Sequence, residues 1–87
     1  MIADYATGSN MEKIRDSGIT SRSFEACALV RYGWNNRAIA DAMKIKTATV
    51  EHYLCDVYSL FPIPRWRNKR IYLYLVLNDQ IDYEVMG

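Results

Sequence analysis

Residues 35–61 read NNRAIADAMKIKTATVEHYLCDVYSLF and contain two helix patterns separated by a three-residue break. Asn35 is a typical N-cap for the first pattern, which predicts a short helix over about Asn36 to Met43. The break is Lys44-Ile45-Lys46, and Thr47 then opens a longer helix that we expect to reach about Phe61. A short helix, a tight turn and a longer helix together predict a helix-turn-helix unit.

The longer helix separates apolar from polar side chains. Its apolar residues recur every three or four positions, which predicts one buried stripe. The stripe consists of Val50, Leu54, Val57 and Phe61. The opposite face is polar or small and consists of Ala48, Thr49, Glu51, His52, Cys55, Asp56 and Ser59. In the break, Lys44 stands where a glycine is usual, so we expect a left-handed backbone there at a cost of about 1 kcal/mol.

Two further helices are predicted before this unit. Asn10 is the expected cap of a short helix from Met11 to Ser17, which Gly18 would close. Thr20 is the expected cap of a second helix, and Gly33 stands in the left-handed position that commonly ends a helix. These elements together predict an all-α core.

The segment that follows residue 61 has two interpretations. Pro62 and Pro64 end the preceding helix. Residues 71–77 (IYLYLVL) are rich in aromatic and β-branched side chains, which favours a strand and a β-hairpin over 71–86. A helix over about 68–77 is the competing interpretation. The expected fold class is all-α, a small helix-turn-helix bundle of four to five helices, and a C-terminal β-hairpin at 71–86 is the alternative.

Composition limits the possible functions. The 87 residues are 51% apolar and 24% charged with a net charge of +1, which is ordinary for one small globular domain. The longest apolar run is far shorter than the roughly 20 residues of a membrane-spanning helix, and no secretion signal is visible. We therefore expect a cytoplasmic protein that does not span a membrane. The expected organisation is an N-terminal extension (1–18), a helix-turn-helix domain (19–77) and a C-terminal tail (78–87).

Few side chains could carry chemistry. Cys27 and Cys55 are too few for a disulfide framework, and we interpret both as reduced thiols. Two cysteines and one histidine without C-x-x-C spacing do not make a zinc site, so we expect no metal and no cofactor. The chain has no nucleophile elbow, no phosphate-binding glycine loop and no carboxylate pair set against a pocket, so we expect no enzymatic activity.

Three stretches of the chain share one register with a known family. ITSR…E from residue 19 resembles the family's L-T-x-R-E-x-E, and YGWNNRAIA from residue 32 resembles G-x-S-N-K-E-I-A. MKIKTATVEHY from residue 43 resembles L-x-I-S-x-x-T-V-K-x-H. Over residues 19–61, half of the chain, the sequence is similar without a gap to the LuxR/NarL-type helix-turn-helix, also called the GerE domain.

The resemblance implies a transcriptional regulator that reads the DNA major groove with the helix starting at Thr47, and the short leading segment predicts a small stand-alone one. By resemblance, the base-facing residues are Ala48, Glu51, His52 and Cys55. Glu51 can accept a hydrogen bond from a cytosine amino group, and His52 can donate one to guanine. Candidate phosphate contacts are Asn35, Asn36, Arg37, Lys46, Thr47, Thr49, Arg67 and Lys69. The densest basic patch is Arg65, Arg67, Lys69 and Arg70, which we interpret as either a phosphate clamp or a solvated loop.

Partners are also implied by the resemblance. In this family a further helix forms the dimer contact, which assigns Ile71, Tyr72, Tyr74 and Leu75 to a homodimer interface. The family usually has lysine at the position of Glu51, and a carboxylate there opposes attraction to phosphates. We therefore expect weak binding by a monomer and recognition of two half-sites by a dimer.

Two functional hypotheses follow. The first is a DNA-binding regulator without a sensor domain, since the eighteen leading residues are too few for one, and such a size is typical of phages and mobile elements. The alternative is an anti-activator or protein-interaction module that pairs with another LuxR-type regulator. Its motivation is the acidic face around Glu51 and Asp56 and the apolar run 71–77.

Overall fold

A computed structural model describes residues 9–81, which form five α-helices and no strand. The helices are α1 (Ser9–Arg15), α2 (Ser21–Arg31), α3 (Asn36–Met43), α4 (Thr47–Tyr58) and α5 (Lys69–Leu77). α2 lies at the centre and contacts each of the other four, while α3 also packs on α4 and α1 on α5. The predicted all-α bundle is confirmed. None of these five helices combines the length and the apolar character needed to cross a membrane.

The core receives apolar side chains from every helix. Representative fully buried residues are Ile14, Val30, Ile39, Leu54 and Leu73. Burying one such side chain stabilises the folded state by about 1.5–3 kcal/mol. The predicted stripe of α4 is also confirmed, because all of its members are buried. This burial determines which face of α4 remains on the outside.

Local capping signals correctly locate the starts of α2 and α3. The Thr20 hydroxyl accepts a hydrogen bond from the Ser23 amide at 3.2 Å. The Asn35 side-chain oxygen accepts one from the Ala38 amide at 2.8 Å. Gly33 has φ +86, the left-handed backbone predicted for the end of α2. These predictions succeed because a cap satisfies backbone donors within three residues of itself.

α4 ends three residues earlier than predicted. Its last helical residue is Tyr58, and the Ser59 hydroxyl donates to the Asp56 carbonyl oxygen at 2.7 Å. The residue before a proline avoids the helical backbone, so the chain leaves the helix ahead of Pro62. Phe61 is nevertheless buried, and its ring stacks on Tyr72 with a centroid separation of 6.1 Å.

The hairpin alternative at 71–86 is wrong, because residues 69–77 are helical. The Asn68 side chain caps this helix by accepting a hydrogen bond from the Ile71 amide at 3.0 Å. Leu73, Val76 and Leu77 have helical spacing and are fully buried. Burial of this face outweighs the strand preference of single residues, which spans only about 1 kcal/mol. The second half of the hairpin, 82–86, lies outside the described residues.

The first helix also differs from the prediction. α1 begins at Ser9, so Asn10 lies inside it and does not cap it. The buried Asn10 side-chain nitrogen donates to the carbonyl oxygens of Val76 at 2.8 Å and Ile81 at 2.9 Å. The Asn10 backbone amide donates to the Asp79 carboxylate at 3.0 Å. Asn10 therefore connects α1 to the end of α5, a role that the neighbouring sequence does not reveal.

Candidate nucleic-acid interface

The turn between α3 and α4 has the predicted left-handed residue. Lys44 has φ 58 and ψ 47, and the Ile45 amide then donates to the Ala40 carbonyl oxygen at 3.0 Å. This bond satisfies one carbonyl at the end of α3 and makes the turn tight. Lys46 stands at the N-cap of α4, and no side chain caps the amides of its first turn. The first turn of α4 therefore retains backbone donors that can bind a phosphate.

The outer face of α4, defined here as Ala48, Glu51, His52 and Cys55, is exposed along its whole length. Its members follow one another over two helical turns, a distance of about 10 Å. Their side chains form no hydrogen bond or ion pair with any other described residue. The four residues predicted to face DNA bases thus form one continuous and open surface.

Asp56 lies at the edge of this face but is directed elsewhere. Its carboxylate accepts a hydrogen bond at 3.2 Å from the hydroxyl of Ser23, which is buried in the first turn of α2. The Thr20 hydroxyl donates to the same Ser23 oxygen at 3.1 Å. A carboxylate is stabilised at a helix N-terminus by the helix dipole. Asp56 therefore directs its carboxylate toward the start of α2.

The phosphate candidates of α3 surround its N-terminus. Asn35 and Arg37 are exposed, whereas Asn36 is half-buried. The Arg70 guanidinium, which belongs to α5, donates to the Asn36 side-chain oxygen and to the Trp34 carbonyl oxygen. Arg70 therefore does not belong to the predicted basic patch, and its charge lies at the start of α3. Sequence reasoning missed this contact because the partners lie 34 residues apart.

The charge of Arg70 is retained despite its environment. Burial lowers the pKa of Arg70, and the neighbouring Tyr58 hydroxyl opposes this shift. Burial raises the pKa of Tyr58, while Arg70 lowers it. An arginine starts so far above neutral pH that such a shift leaves it protonated. A cation therefore stands between α5 and the N-terminus of α3 under ordinary conditions.

The candidates around the turn differ in exposure. Lys46 and Thr47 are exposed at the start of α4, whereas Thr49 is half-buried. A further cation lies close to them, because Arg22 donates to the Met43 carbonyl oxygen at 3.3 Å, at the end of α3. Sequence reasoning did not select Arg22, since its position in α2 gives no local indication that it approaches the turn.

Of the remaining two candidates, Arg67 lies in the connection between α4 and α5, and Lys69 is the first residue of α5. The Arg67 guanidinium carbon lies 5.3 Å from the ring centroid of Trp66 and 5.6 Å from that of Tyr72. The Lys69 ammonium lies 6.0 Å from the ring centroid of Tyr58, in the last turn of α4. Lys46 and Lys69 thus place one cation near each end of α4.

The dimer candidates divide into two pairs. Ile71 is 56% exposed and Tyr74 is 41% exposed, whereas Tyr72 and Leu75 are half-buried. Tyr72 packs on Phe61 inside the domain. The exposed pair lines an open cavity of about 450 Å³. Its other walls are Val30, Gly33, Trp34, Asn35, Asn36 and Arg70.

The two cysteines have opposite environments. Cys27 is buried, and burial raises the pKa of its thiol. Cys55 is exposed on the outer face of α4. Within the described range of 9–81, no group of three or more histidine, cysteine or acidic residues is placed to hold a metal ion. Cys27 therefore packs in the core, whereas Cys55 lies on the surface.

The geometry combines an exposed polar helix face, a tight turn before it and cations at its ends. These features come from α2, α3, α4 and α5 together, so the whole bundle is needed to form them. Comparison with known proteins found no match to this chain among family models, curated proteins or solved structures.

Proposed function

We propose that this protein is a DNA-binding transcriptional regulator that inserts the outer face of α4 into the major groove. The observation that supports this most is the exposure of Ala48, Glu51, His52 and Cys55 as one uncovered surface on a helix held by its opposite side. A helix of this kind fits the major groove of B-form DNA, where each base pair presents a distinct set of donors and acceptors.

The cations around α4 support the same proposal. Phosphate contacts supply most of the affinity of a protein for DNA and set its position on the duplex. Lys46 lies at the start of α4 and Lys69 lies beside its last turn, with Arg37 exposed on α3. A helix between two such cations would rest in the groove while they contact the flanking strands.

Glu51 limits the affinity. It stands in the middle of the outer face, where a negative charge is repelled by phosphates on both strands. It can still discriminate between bases by accepting from a cytosine amino group. A single subunit should therefore bind weakly, and two subunits on two half-sites should bind much more tightly.

The test begins with selection of preferred duplexes from a random-sequence pool, followed by binding measurements at about 50 mM and 200 mM salt. We expect a preferred sequence whose affinity falls steeply as salt increases, because bound phosphates release counterions. Absence of any duplex binding at the lower salt concentration would reject the proposal.

Three variants separate base recognition from phosphate contact. His52→Ala should reduce the preference for the selected sequence over a scrambled one. Lys46→Ala should weaken binding to both sequences by a similar factor and reduce the salt dependence. Lys13→Ala is the matched control, because it removes the same charge from α1, which packs on α2 and α5. If Lys13→Ala and Lys46→Ala have the same effect, the placement of α4 against phosphates is wrong.

A protein-interaction module remains the second candidate. It is favoured by the exposed apolar side chains of Ile71 and Tyr74 beside the cavity, together with the acidic Glu51 on α4. A module that pairs with another regulator would suppress that regulator's DNA binding in a mixed sample. Such suppression, combined with no binding of its own to any duplex, would support this candidate over the first.

A further inference from the structure

We infer that the connection between α4 and α5 forms a second contact with the same DNA duplex, in which its cations bind phosphates and the Trp66 indole lies against sugar and base edges. We call residues 62–69, which include the first residue of α5, the Trp66 loop. This inference rests on the proposed function and extends the contact surface beyond α4. It assigns a role to an exposed tryptophan that the fold does not use.

The tip of the Trp66 loop has a defined geometry. The Arg67 amide donates to the Pro64 carbonyl oxygen at 3.0 Å, which closes a turn of four residues. Arg65 and Trp66 therefore occupy the two central positions of the turn. Trp66 is 80% exposed and Arg65 is exposed as well. A large aromatic ring and a cation are thus presented side by side at the tip.

The base of the loop is held by the core. Phe61 is buried before it, and Ile63 and Pro64 are half-buried within it. After it, the Asn68 side chain caps α5 through the Ile71 amide. A segment held at both ends loses little conformational entropy when it binds, so its contacts contribute more of their energy to affinity.

Arg67 is oriented by rings and not by hydrogen bonds. Its guanidinium lies 5.3 Å from the Trp66 ring and 5.6 Å from the Tyr72 ring. Among the described residues, its buried Nε atom has no hydrogen-bond partner. Cation–π contacts fix the plane of a guanidinium without using its donors, and planar guanidinium groups bind phosphates well.

The charge of this region is uniform. Residues 59–69 contain Arg65, Arg67 and Lys69 and no aspartate or glutamate. No salt bridge within residues 9–81 involves any of these three side chains. Basic side chains with an interleaved aromatic are the combination that nucleic-acid surfaces use for phosphates and for stacking.

The loop adjoins the last turn of α4 through its final residue. The Lys69 ammonium lies 6.0 Å from the ring of Tyr58, which is two turns after Glu51 on the same side of the helix. Those two turns correspond to about 10 Å along the axis, which is similar to the width of the major groove. In the inferred complex, a duplex that receives α4 brings a backbone strand to the Trp66 loop.

A lipid surface fits this loop less well than DNA does. Membrane association of a peripheral segment depends on several apolar side chains that enter the bilayer together. Here Phe61 is buried and Ile63 is half-buried, so Trp66 is the one strongly exposed apolar side chain of this connection. A single indole among cations is better suited to DNA, which offers phosphates and base edges, than to a lipid surface.

The experiment uses Trp66 as its own reporter. The chain contains two tryptophans, so Trp34→Phe leaves Trp66 as the only one. Its fluorescence is measured with increasing acrylamide, alone and with the selected duplex and a scrambled duplex of equal length. We expect both duplexes to reduce the acrylamide quenching constant by about two-fold or more, because a stacked or covered indole is shielded from the quencher.

Affinity measurements on loop variants complete the test. Trp66→Ala should weaken binding to both duplexes by about five-fold or more, as loss of a large apolar contact does, whereas Trp66→Phe should retain most of the affinity. Arg65→Gln should reduce the slope of affinity against salt by about one phosphate contact. All three changes are at exposed positions, so we expect the fold to be retained.

The outcomes distinguish this inference from the proposed function. One outcome is sequence-specific binding that depends on His52, an acrylamide quenching constant of Trp66 that is the same with and without duplex, and normal affinity of Trp66→Ala. That outcome would overturn the loop contact and leave the α4 contact intact. No binding to any duplex would overturn both. Protection of Trp66 by vesicles of phosphatidylserine and phosphatidylcholine, without protection by DNA, would replace the inference with a lipid contact.

Discussion

α4 and α5 both pack on α2 but present different surfaces. Both bury one face against α2, with Leu54 in α4 and Leu73 in α5 inaccessible to solvent. The outer face of α4 carries Glu51 and His52, whereas α5 exposes Ile71 and Tyr74. The same packing role therefore leaves two surfaces of different chemistry. A polar face suits the donors and acceptors of a groove, and an apolar face suits another protein.

The largest expected effect concerns the buried sides of α4 and α5. Truncating a buried leucine should destabilise the protein by a similar amount in either helix. Leu54→Ala and Leu73→Ala should each reduce the free energy of unfolding by about 2–5 kcal/mol, because each leaves a cavity in a packed core. Urea unfolding followed by circular dichroism measures both. Ile71→Ala, at an exposed position of α5, is the control and should cost clearly less. A negligible cost for Leu73→Ala would show that α5 is not part of the cooperative core.

The second prediction concerns the exposed sides, where the helices should differ. Glu51→Lys should increase affinity for DNA by about ten-fold, since it removes a repulsion and adds a phosphate contact. Ile71→Gln on α5 should leave the affinity for a duplex with a single half-site nearly unchanged, because Ile71 lies outside the outer face of α4. Glu12→Lys makes the same charge change at an exposed position of α1. Equal gains from Glu51→Lys and Glu12→Lys, in fluorescence anisotropy with labelled duplex, would contradict the placement of α4.

The third prediction concerns α2, which lies under both helices. Burial raises the pKa of Cys27 above the ordinary value of 9.0, so the folded protein retains the thiol proton that the unfolded chain loses. The stabilisation is complete below pH 9 and decreases as pH rises above it, by at most about 1.4 kcal/mol per pH unit. Unfolding measured between about pH 8 and pH 10 should show this decrease.

Matched cysteine variants check this assignment. Cys27→Ala should make the stability depend less on pH in that interval, whereas the exposed Cys55→Ala should not. The comparison uses the slope with pH and not the absolute stability, because Cys27→Ala also removes core volume. An unchanged slope in Cys27→Ala would mean that another group causes the alkaline loss.

The smallest expected effect concerns how the two helices begin. The Asn68 side chain caps α5, whereas no side chain caps α4 at Lys46. Asn68→Ala should therefore cost about 1 kcal/mol of stability, and Lys46→Ala should cost less than half of that. Thermal unfolding of both variants measures the difference. Equal losses would indicate that Lys46 stabilises α4 in a way that its backbone cap geometry does not show.

Much of the fold was predictable from short-range patterns. The starts of α2, α3 and α4, the left-handed Lys44 and the buried stripe of α4 agree with the predictions. In each case the deciding interaction joins residues within about one helical turn, so the sequence carries the whole pattern. The openness of the outer face of α4 follows from the same periodicity.

Other features could not be predicted in this way. Residues 71–77 are apolar on nearly every side, so their pattern does not distinguish a helix from a strand. Their helix is established by the burial of Leu73, Val76 and Leu77 in the bundle. The position of the Trp66 loop beside the last turn of α4 could not be predicted either. Its aromatic and basic residues are visible in the sequence, but their location in the fold is not.

The order of the helices, their caps and the polar side of α4 are properties of the chain's own local pattern. The position of Arg70 at α3, the contact of Asp56 with Ser23 and the connection of Asn10 to α5 arise only when the helices pack. These contacts join residues that are far apart in the chain, and a buried polar group accepts whichever partner the packed helices place within reach. The charge distribution around α4 was therefore settled by packing, although every residue in it was known beforehand.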